Sequence, residues 1–173
     1  DNSGDAVFCS MSVKSLPPAT LLFEAFYSVD LMAPEALALQ QYLPTTPIRV
    51  LASQVGNNIA EVISHKQLSE LCKILKHHKA HQLLSHVRPD VEAMAKSAHQ
   101  YAADAMRNIQ AEAHSKATQA LQQEIERNSA LSQKNSKVAE QESQFLASQL
   151  ELIQQAIQQA KLRLECVRIV INT

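Results

Sequence analysis

The chain has 173 residues, a formal net charge of −1 and 46% hydrophobic residues. This length suits one domain, or a small domain with a protruding arm, and the apolar content is enough for a packed core. The near-neutral charge argues against binding of nucleic acid or membrane by the molecule as a whole. The sequence has no signal peptide and no apolar run of membrane-spanning length, so we expect no membrane partner.

Three dispersed cysteines, Cys9, Cys72 and Cys166, lie in unrelated parts of the sequence without metal-like spacing. An odd count in this pattern argues against a disulfide framework and for a reducing compartment, so we expect a cytoplasmic location. The sequence starts at Asp1 rather than Met and enters a strand-like pattern almost at once. We therefore expect a fragment of a larger protein.

Period-two alternation of apolar and polar residues predicts strands in the first third of the chain. The pattern covers Val7–Val13, Leu21–Leu31 and Ile48–Ala52. Ala36–Leu43 fits a strand or a short helix, and we favour a strand. Gly56 and Asn57 tolerate positive φ, which predicts a hairpin turn with Ile59–Ile63 as the returning strand.

The pattern then changes to helical spacing. Gln67–Leu75 and Lys79–Val87 are predicted to be short amphipathic helices, ended by Arg88 and Pro89 because proline disfavours a helix interior. Asp90 is a plausible cap for the helix that follows.

The longest pattern predicts an antiparallel helical hairpin over residues 90–165. A first apolar face runs from Asp90 to about Leu131, and a polar run over residues 132–136 interrupts it. The first face consists of Val91, Met94, Ala98, Tyr101, Ala105, Ile109, Ala113, Ala117, Leu121 and Ile125. The second consists of Val138, Phe145, Gln149, Leu152, Ala156, Ala160 and Leu164, with Leu146, Leu150, Ile153 and Ile157 beside it.

Alternation returns in the last eight residues, where Val167, Ile169 and Ile171 predict a strand that pairs with the N-terminal strands. The sequence thus predicts an α+β fold: a small, mainly antiparallel sheet that includes a C-terminal strand, with a long antiparallel helical hairpin arm. The predicted parts are a β-rich part (1–63), a short helical connector (64–89), the hairpin (90–165) and the returning strand (166–173). Together they are expected to form one domain.

Two groups of residues have features of a binding site. His77 and His81 are four residues apart and would need a further ligand, such as Cys72, to hold zinc. The Lys- and His-rich segment 73–81 offers positive charge to a phosphate, but it lacks interleaved aromatic residues. A solvated helix face explains both groups better, and nucleic-acid binding by the segment stays open.

The sequence predicts no chemistry in the chain. Its two glycines, Gly4 and Gly56, do not form a phosphate-binding loop, and no Ser/His/Asp or Cys/His grouping stands out. We therefore predict no catalytic, cofactor-binding or metal-binding residues, and no enzyme activity for this chain.

Three passages carry a resemblance to a known family: residues 39–49 (LQQYLPTTPIR), residues 56–58 (GNN) and residues 162–171 (LRLECVRIVI). They resemble the C-terminal domain of the RapA (HepA) family of bacterial RNA polymerase-associated Swi/Snf-type ATPases. The similarity extends over the whole chain in order.

The resemblance implies a parent protein that is an ATP-hydrolysing, helicase-like translocase on double-stranded DNA and promotes recycling of RNA polymerase in transcription. ATP and magnesium would bind to motor lobes of the parent, and no residue here matches those motifs. The implied partners are the motor lobes, core RNA polymerase and, through the parent, DNA. The alternative from the residues alone is a stand-alone coiled-coil scaffold or dimerisation domain.

Overall fold

The computed structural model describes residues 5–32, 38–44, 46–131 and 136–173. Its strands are β1 (Asp5–Met11), β2 (Leu21–Asp30), β3 (Ile48–Ser53), β4 (Lys73–Ile74) and β5 (Lys161–Asn172). Its α-helices are α1 (His65–Leu71), α2 (His77–Leu131) and α3 (Ser136–Gln158), and a 3₁₀ helix spans Leu39–Tyr42. This composition confirms the predicted α+β class.

The described residues form two compact units. The first, here called the sheet unit, lies within residues 1–28, 47–105 and 162–173. The second, here called the helix-pair unit, lies within residues 29–46 and 106–161. The expectation that the whole chain is one domain stays a prediction.

The sheet has the strand order β3-β2-β5-β1-β4, so the C-terminal strand lies at its centre. β2 pairs antiparallel with β3, β1 pairs antiparallel with β4, and β1 pairs parallel with β5. The Asn172 amide donates to the Thr20 carbonyl (2.8 Å) and the Ser28 hydroxyl to the Glu165 carboxylate, so β2 and β5 are antiparallel. The return of the β-branched tail to the sheet is thereby confirmed.

Alternation along the strands gives the sheet two buried faces in the sheet unit. On one face, Phe23, Ala25 and Tyr27 of β2 pack against Met94 and other residues of α2. The opposite face packs under α1, which contributes the fully buried Leu68. It is formed by Cys9, Met11, Leu22, Leu51 and Val170.

The side chain of Asn172 hydrogen-bonds the loop after β1 to the end of the central strand. Its side chain is buried, and its Oδ1 accepts the Val13 amide at 2.8 Å. Its Nδ2 donates to the carbonyls of Val13, Leu16 and Pro17 at 2.9–3.1 Å. The Val13 and Pro17 carbonyls also accept the Leu16 and Thr20 amides, so the side chain of Asn172 adds to the backbone hydrogen bonds of this loop.

The prediction that Pro89 ends a helix is wrong, since α2 runs through Pro89 from His77 to Leu131. Proline in a helix interior removes one backbone hydrogen bond and costs about 3 kcal/mol. The apolar face continues across it: Leu83 and Val87 before the proline and Val91 after it pack against the same cluster of the sheet. That burial offsets the local cost and keeps the helix continuous.

The predicted returning strand at Ile59–Ile63 is also wrong, although Gly56 does adopt a positive φ of 87° in the turn before it. The Asn58 side chain accepts the Leu51 and Ala60 amides, and only an isolated bridge, Ala52 to Asn58, forms beside β3. Residues 59–63 then turn, because the Val62 and Ile63 amides both donate to the Ile59 carbonyl.

The predicted helix over Gln67–Leu75 is shorter and begins earlier, as α1 from His65 to Leu71. Ser64 caps it in a capping box with Gln67, which favours the earlier start. After Cys72 the chain becomes β4, because Ile74 pairs with Cys9 and the Leu75 amide donates to the Phe8 carbonyl at 2.9 Å. For these residues, pairing with the open edge of β1 is therefore favoured over helix formation.

Two further boundaries differ from the sequence prediction. Residues 39–42 form a 3₁₀ helix instead of the favoured strand, and residues 36 and 37 of that prediction lie outside the described residues. β5 begins at Lys161 rather than at residue 166, so α3 ends at Gln158. The strand thus reaches further back than the β-branched tail, at the expense of the helix. The polar turn predicted over residues 132–136 falls mostly on 132–135, outside the described residues.

The helix-pair unit confirms antiparallel packing of α2 and α3. Gln110 donates to the Ile157 carbonyl at 2.9 Å, and further along α2 Thr118 accepts from Gln154 at 3.4 Å. The helix residues of its core are Ala113, Ala117, Ile153, Ala156 and Ile157, and Leu39 of the 3₁₀ helix completes it. Small alanines on α2 allow this close approach.

Two of the predicted hairpin contacts are corrected. Leu152 is 53% exposed whereas its neighbour Ile153 is 4% exposed, so Val138, Phe145 and Leu152 of the predicted second face lie on the surface, whereas Ala156 of that face is buried. Tyr101 is 37% exposed, and its hydroxyl donates to the Gly56 carbonyl at 2.9 Å within the sheet unit. Its face of α2 is filled there by Ala98 and Ala102, which are fully buried.

Candidate functional site

The most unusual side chain of the sheet unit is Glu24, a carboxylate on β2 that is 1% exposed. Oε2 of Glu24 accepts from Nε of Arg49 at 2.7 Å, and Oε1 accepts from Arg168 at 2.7–3.0 Å. Nδ1 of His65 lies 3.1 Å from both oxygens. We call Glu24, Arg49, His65, Ser69 and Arg168 the Glu24 cluster.

The elements that supply the cluster are the three adjacent strands β3, β2 and β5 and the helix α1. Arg49 also donates from Nη1 to the carbonyls of Ala60 and Ile63 at 2.9–3.0 Å. The turn after β3 leaves these two carbonyls without a strand partner. Arg49 thus fixes the non-strand path of residues 59–63 to the sheet.

Arg168 links the sheet to α1, because its Nη1 donates to the Ser69 hydroxyl at 3.0 Å and its Nη2 lies 3.2 Å from His65 Nδ1. The His65 ring also meets Phe26 edge-on, with the ring centroids 5.1 Å apart. The side chain of His65 is about half exposed. The first turn of α1 is therefore held on the sheet by charge-assisted bonds and one ring contact.

In this cluster, one carboxylate accepts hydrogen bonds from two guanidinium groups. A buried ion pair of this kind gains little over an apolar substitute, but it strongly penalises removal of a single partner. Nη2 of Arg49 is buried without a hydrogen-bond partner in the described part of the chain. The geometry suits a structural role: it fixes one arrangement of the strands, the turn and α1.

A second, exposed polar group lies nearer the start of β5. Glu165 accepts from the Ser28 hydroxyl and from Nε of Arg163, and these bonds hold its pKa below the usual range of a glutamate. Because the carboxylate is on the surface, water screens this group.

A cavity of about 390 Å³ in the helix-pair unit is lined by polar and apolar side chains of α2 and α3. Its lining residues are Gln110, Ala111, His114, Gln154, Ile157 and Gln158. Three glutamine side chains around His114 suit hydrogen bonding rather than nucleophilic attack.

The histidine and lysine candidates of the sequence lie on the surface of the described chain. His77 and His81 are exposed in the first turns of α2, and Lys73, Lys76 and Lys79 are exposed around them. Across residues 5–32, 38–44, 46–131 and 136–173, no three His, Cys, Asp or Glu side chains gather as a metal site would require. No helix in the same ranges is long and apolar enough to cross a membrane.

Cys72 does have a close neighbour that the sequence did not reveal. It packs against the apolar cluster that contains Cys9. Burial raises the pKa of both, that of Cys72 to about 11. The view that the cysteines occupy unrelated settings is therefore wrong for this pair, because β1 and β4 bring them together.

The Glu24 cluster was missed as a set, although one signal was present. Glu24 is the only charged residue in the apolar run Leu21–Tyr27, and a charge in such a strand requires a partner when it is buried. The sequence alone does not identify those partners, since Arg49 and Arg168 are 25 and 144 residues away.

Comparison with known proteins identifies the family. The family model described as RNA polymerase recycling family C-terminal matches residues 1–172. The chain belongs to this family. The family assignment confirms the resemblance found in the sequence.

Curated relatives of the family carry the name RNA polymerase-associated protein RapA. The protein from Pectobacterium carotovorum subsp. carotovorum (strain PC1) is 33% identical over 174 residues, covering 99% of this chain. The protein from Pasteurella multocida (strain Pm70) is 34% identical over 173 residues, and that from Haemophilus influenzae (strain PittEE) is 32% identical over 169. In each case the chain spans 18% of the relative's length.

Proposed function

We propose that this chain is an accessory C-terminal module of an ATP-dependent, RNA polymerase-associated DNA translocase that promotes recycling of RNA polymerase. The observation that carries the proposal is the family match over residues 1–172, with relatives at 32–34% identity that are named RNA polymerase-associated. ATP, magnesium and DNA would be bound by motor lobes in the rest of such a protein. The location would be cytoplasmic.

In this proposal the module contributes surfaces rather than chemistry. The Glu24 cluster joins β2, β3, β5 and α1 through ion pairs and hydrogen bonds, which is the contact pattern of a rigid support. The helix-pair unit exposes an apolar row, Val138, Phe145 and Leu152, along α3. An exposed apolar row of this kind suits a part that contacts the motor lobes or core RNA polymerase.

The alternative of a stand-alone coiled-coil scaffold or dimerisation domain has less support. The Ala113 and Ala117 face of α2, which a coiled-coil partner would need, packs against Ile153 and Ile157 of the same chain. Motor motifs preceding residue 1 in the complete gene would decide between the two proposals.

Retention of the chain by immobilised core RNA polymerase tests the polymerase contact. We expect retention at moderate salt, with and without added DNA, because the contact would be made by protein surfaces. Nuclease treatment controls for nucleic acid carried with either protein. Loss of all retention at moderate salt would contradict a polymerase contact by this module.

Two exposed apolar residues serve as matched variants in the same assay. Phe145→Ser changes the row on α3, where Phe145 is 62% exposed, and Val55→Ser changes the turn after β3, where Val55 is 82% exposed. Neither substitution opens a buried cavity, so both proteins should fold. We expect Phe145→Ser to weaken retention several-fold and Val55→Ser to leave it unchanged.

A further inference from the structure

The outer edge of β4 is the feature of the sheet unit that the proposed function does not use. β4 is the last strand of the sheet, and both of its residues are exposed, Ile74 to 78%. The extended backbone is longer than β4 itself. Cys72 is extended (φ −90°, ψ 142°), and the Leu75 amide donates to a β1 carbonyl at 2.9 Å. The edge of the sheet therefore presents an extended stretch over residues 72–75.

Strand register decides which backbone groups of this stretch face outward. In an antiparallel ladder, the amide and carbonyl of successive residues point alternately toward the partner strand and away from it. The Leu75 amide donates to the Phe8 carbonyl of β1. Ile74, the residue before it, therefore directs its amide and carbonyl to the open side of the sheet.

The opposite edge of the sheet is covered by the chain itself. The Leu51 carbonyl of β3 accepts the Ile59 amide at 2.8 Å, and the Ser53 amide donates to the Asn57 carbonyl at 2.9 Å. Natural sheets protect an edge strand in this way against pairing with other chains. The 78% exposure of Ile74 shows that β4 lacks such a cover in the part of the chain that the structure describes.

Positive charge surrounds the open edge. Residues 71–89 include Lys73, Lys76 and Lys79 but no Asp or Glu, and all three lysines are exposed. Lys73 belongs to β4, and the other two lie at or near the start of α2, directly after it. An acidic segment is attracted to this edge, and a basic one is repelled.

Alternation places the apolar and charged side chains of the edge on different faces of the sheet. Cys72 packs against the cluster under α1, and Leu75 packs against the cluster under α2. Ile74 therefore lies on the α1 face and Lys73 on the α2 face. The residue of an added strand opposite Ile74 shares its face, and the flanking residues share the face of Lys73. A matching sequence alternates apolar and acidic residues.

We propose that the open edge of β4 binds an extended acidic segment of a partner protein as an additional antiparallel strand. Main-chain hydrogen bonds to Ile74 pair the two strands, and an apolar side chain of the segment covers the side chain of Ile74. Acidic side chains of the segment form ion pairs with Lys73 and Lys76. This binding is independent of the proposed function.

The test is a titration of a fluorescein-labelled heptapeptide, in which glutamate and valine alternate, with the intact chain. We expect saturable binding by fluorescence anisotropy, weakened by salt. N-methylation of the valines keeps the charge but removes the amides that face Ile74, so it should weaken binding about tenfold. A heptapeptide of alternating lysine and valine should not bind.

Three variants of the chain locate the site. Ile74→Pro removes only the outward amide hydrogen, at a position where edge strands accept proline, so the unfolding midpoint should stay unchanged while binding weakens about tenfold. Lys73→Glu reverses a charge without altering the backbone and should weaken binding several-fold. Lys116→Glu makes the same charge change at an exposed position in the helix-pair unit and should bind the peptide like the parent chain.

Three results would overturn the proposal. The first is the absence of saturable binding by the glutamate–valine peptide at low salt. The second is equal binding of the N-methylated and unmodified peptides, because charge would then act without strand pairing. The third is displacement of the peptide by a single-stranded oligonucleotide that binds more tightly, which would make the lysine-rich run a nucleic-acid contact instead.

Discussion

Replacing Ile153 with Asp should destabilise the helix-pair unit by about 4 kcal/mol. Ile153 is 4% exposed and packs in the cluster of Ala113, Ala117, Ala156 and Ile157. A carboxylate there would lose its hydration with no cation in that apolar cluster, and the apolar contacts of isoleucine would also be lost. The expected magnitude is large enough to unfold the contact between α2 and α3.

The adjacent position supplies a matched control for this prediction. Leu152 has similar size but is 53% exposed, so Leu152→Asp places the same charge on the same helix in water. Urea unfolding, monitored through the helical circular dichroism signal, should show a large loss of stability for Ile153→Asp and almost none for Leu152→Asp. Equal losses of stability in the two variants would mean that the buried face of α3 is assigned incorrectly.

Replacing Glu24 with Gln should lower the free energy of unfolding by about 3 kcal/mol. The substitution keeps the size of the side chain but removes the charge that Arg49 and Arg168 share. The side chains of these arginines are only 15% and 16% exposed, so water replaces the lost partner poorly. Arg49 would also hold the carbonyls of Ala60 and Ile63 less firmly.

Denaturant unfolding of the sheet unit measures this effect, with Glu165→Gln as the control. Glu165 also contacts an arginine, Arg163, but on the surface, so its replacement should leave the unfolding midpoint within experimental scatter. An unchanged midpoint for Glu24→Gln would refute the role given to the cluster.

The elements that sequence reasoning found are those whose local pattern agrees with their packing. β1, β2 and β3 each carry apolar residues at every second position, and the run Val167–Ile171 has no helical spacing, so their strand character was evident. The antiparallel helix pair followed equally from two apolar faces separated by a polar run. In these segments, propensity and burial favour the same structure.

The differences arise where contacts distant in sequence override local signals. Pro89 is a helix breaker by itself, yet packing on both sides of it keeps α2 continuous. Lys73 and Ile74 have helical neighbours, but the edge of β1 draws them into the sheet. The Glu24 cluster depends on residues up to 144 positions apart, and a single sequence does not indicate which charged side chains pair.

In the proposed function, this chain works as the C-terminal module of a polymerase-recycling translocase. The most direct test uses the full-length relative from Pectobacterium carotovorum, whose matching region is 33% identical to this chain. Multiple-round transcription is measured with the intact relative, with that region removed, and with this chain in its place. We predict that removal reduces the stimulation of repeated rounds and that the exchanged protein restores it. Full stimulation without the region, or an exchanged protein no better than the truncated one, would contradict the claim.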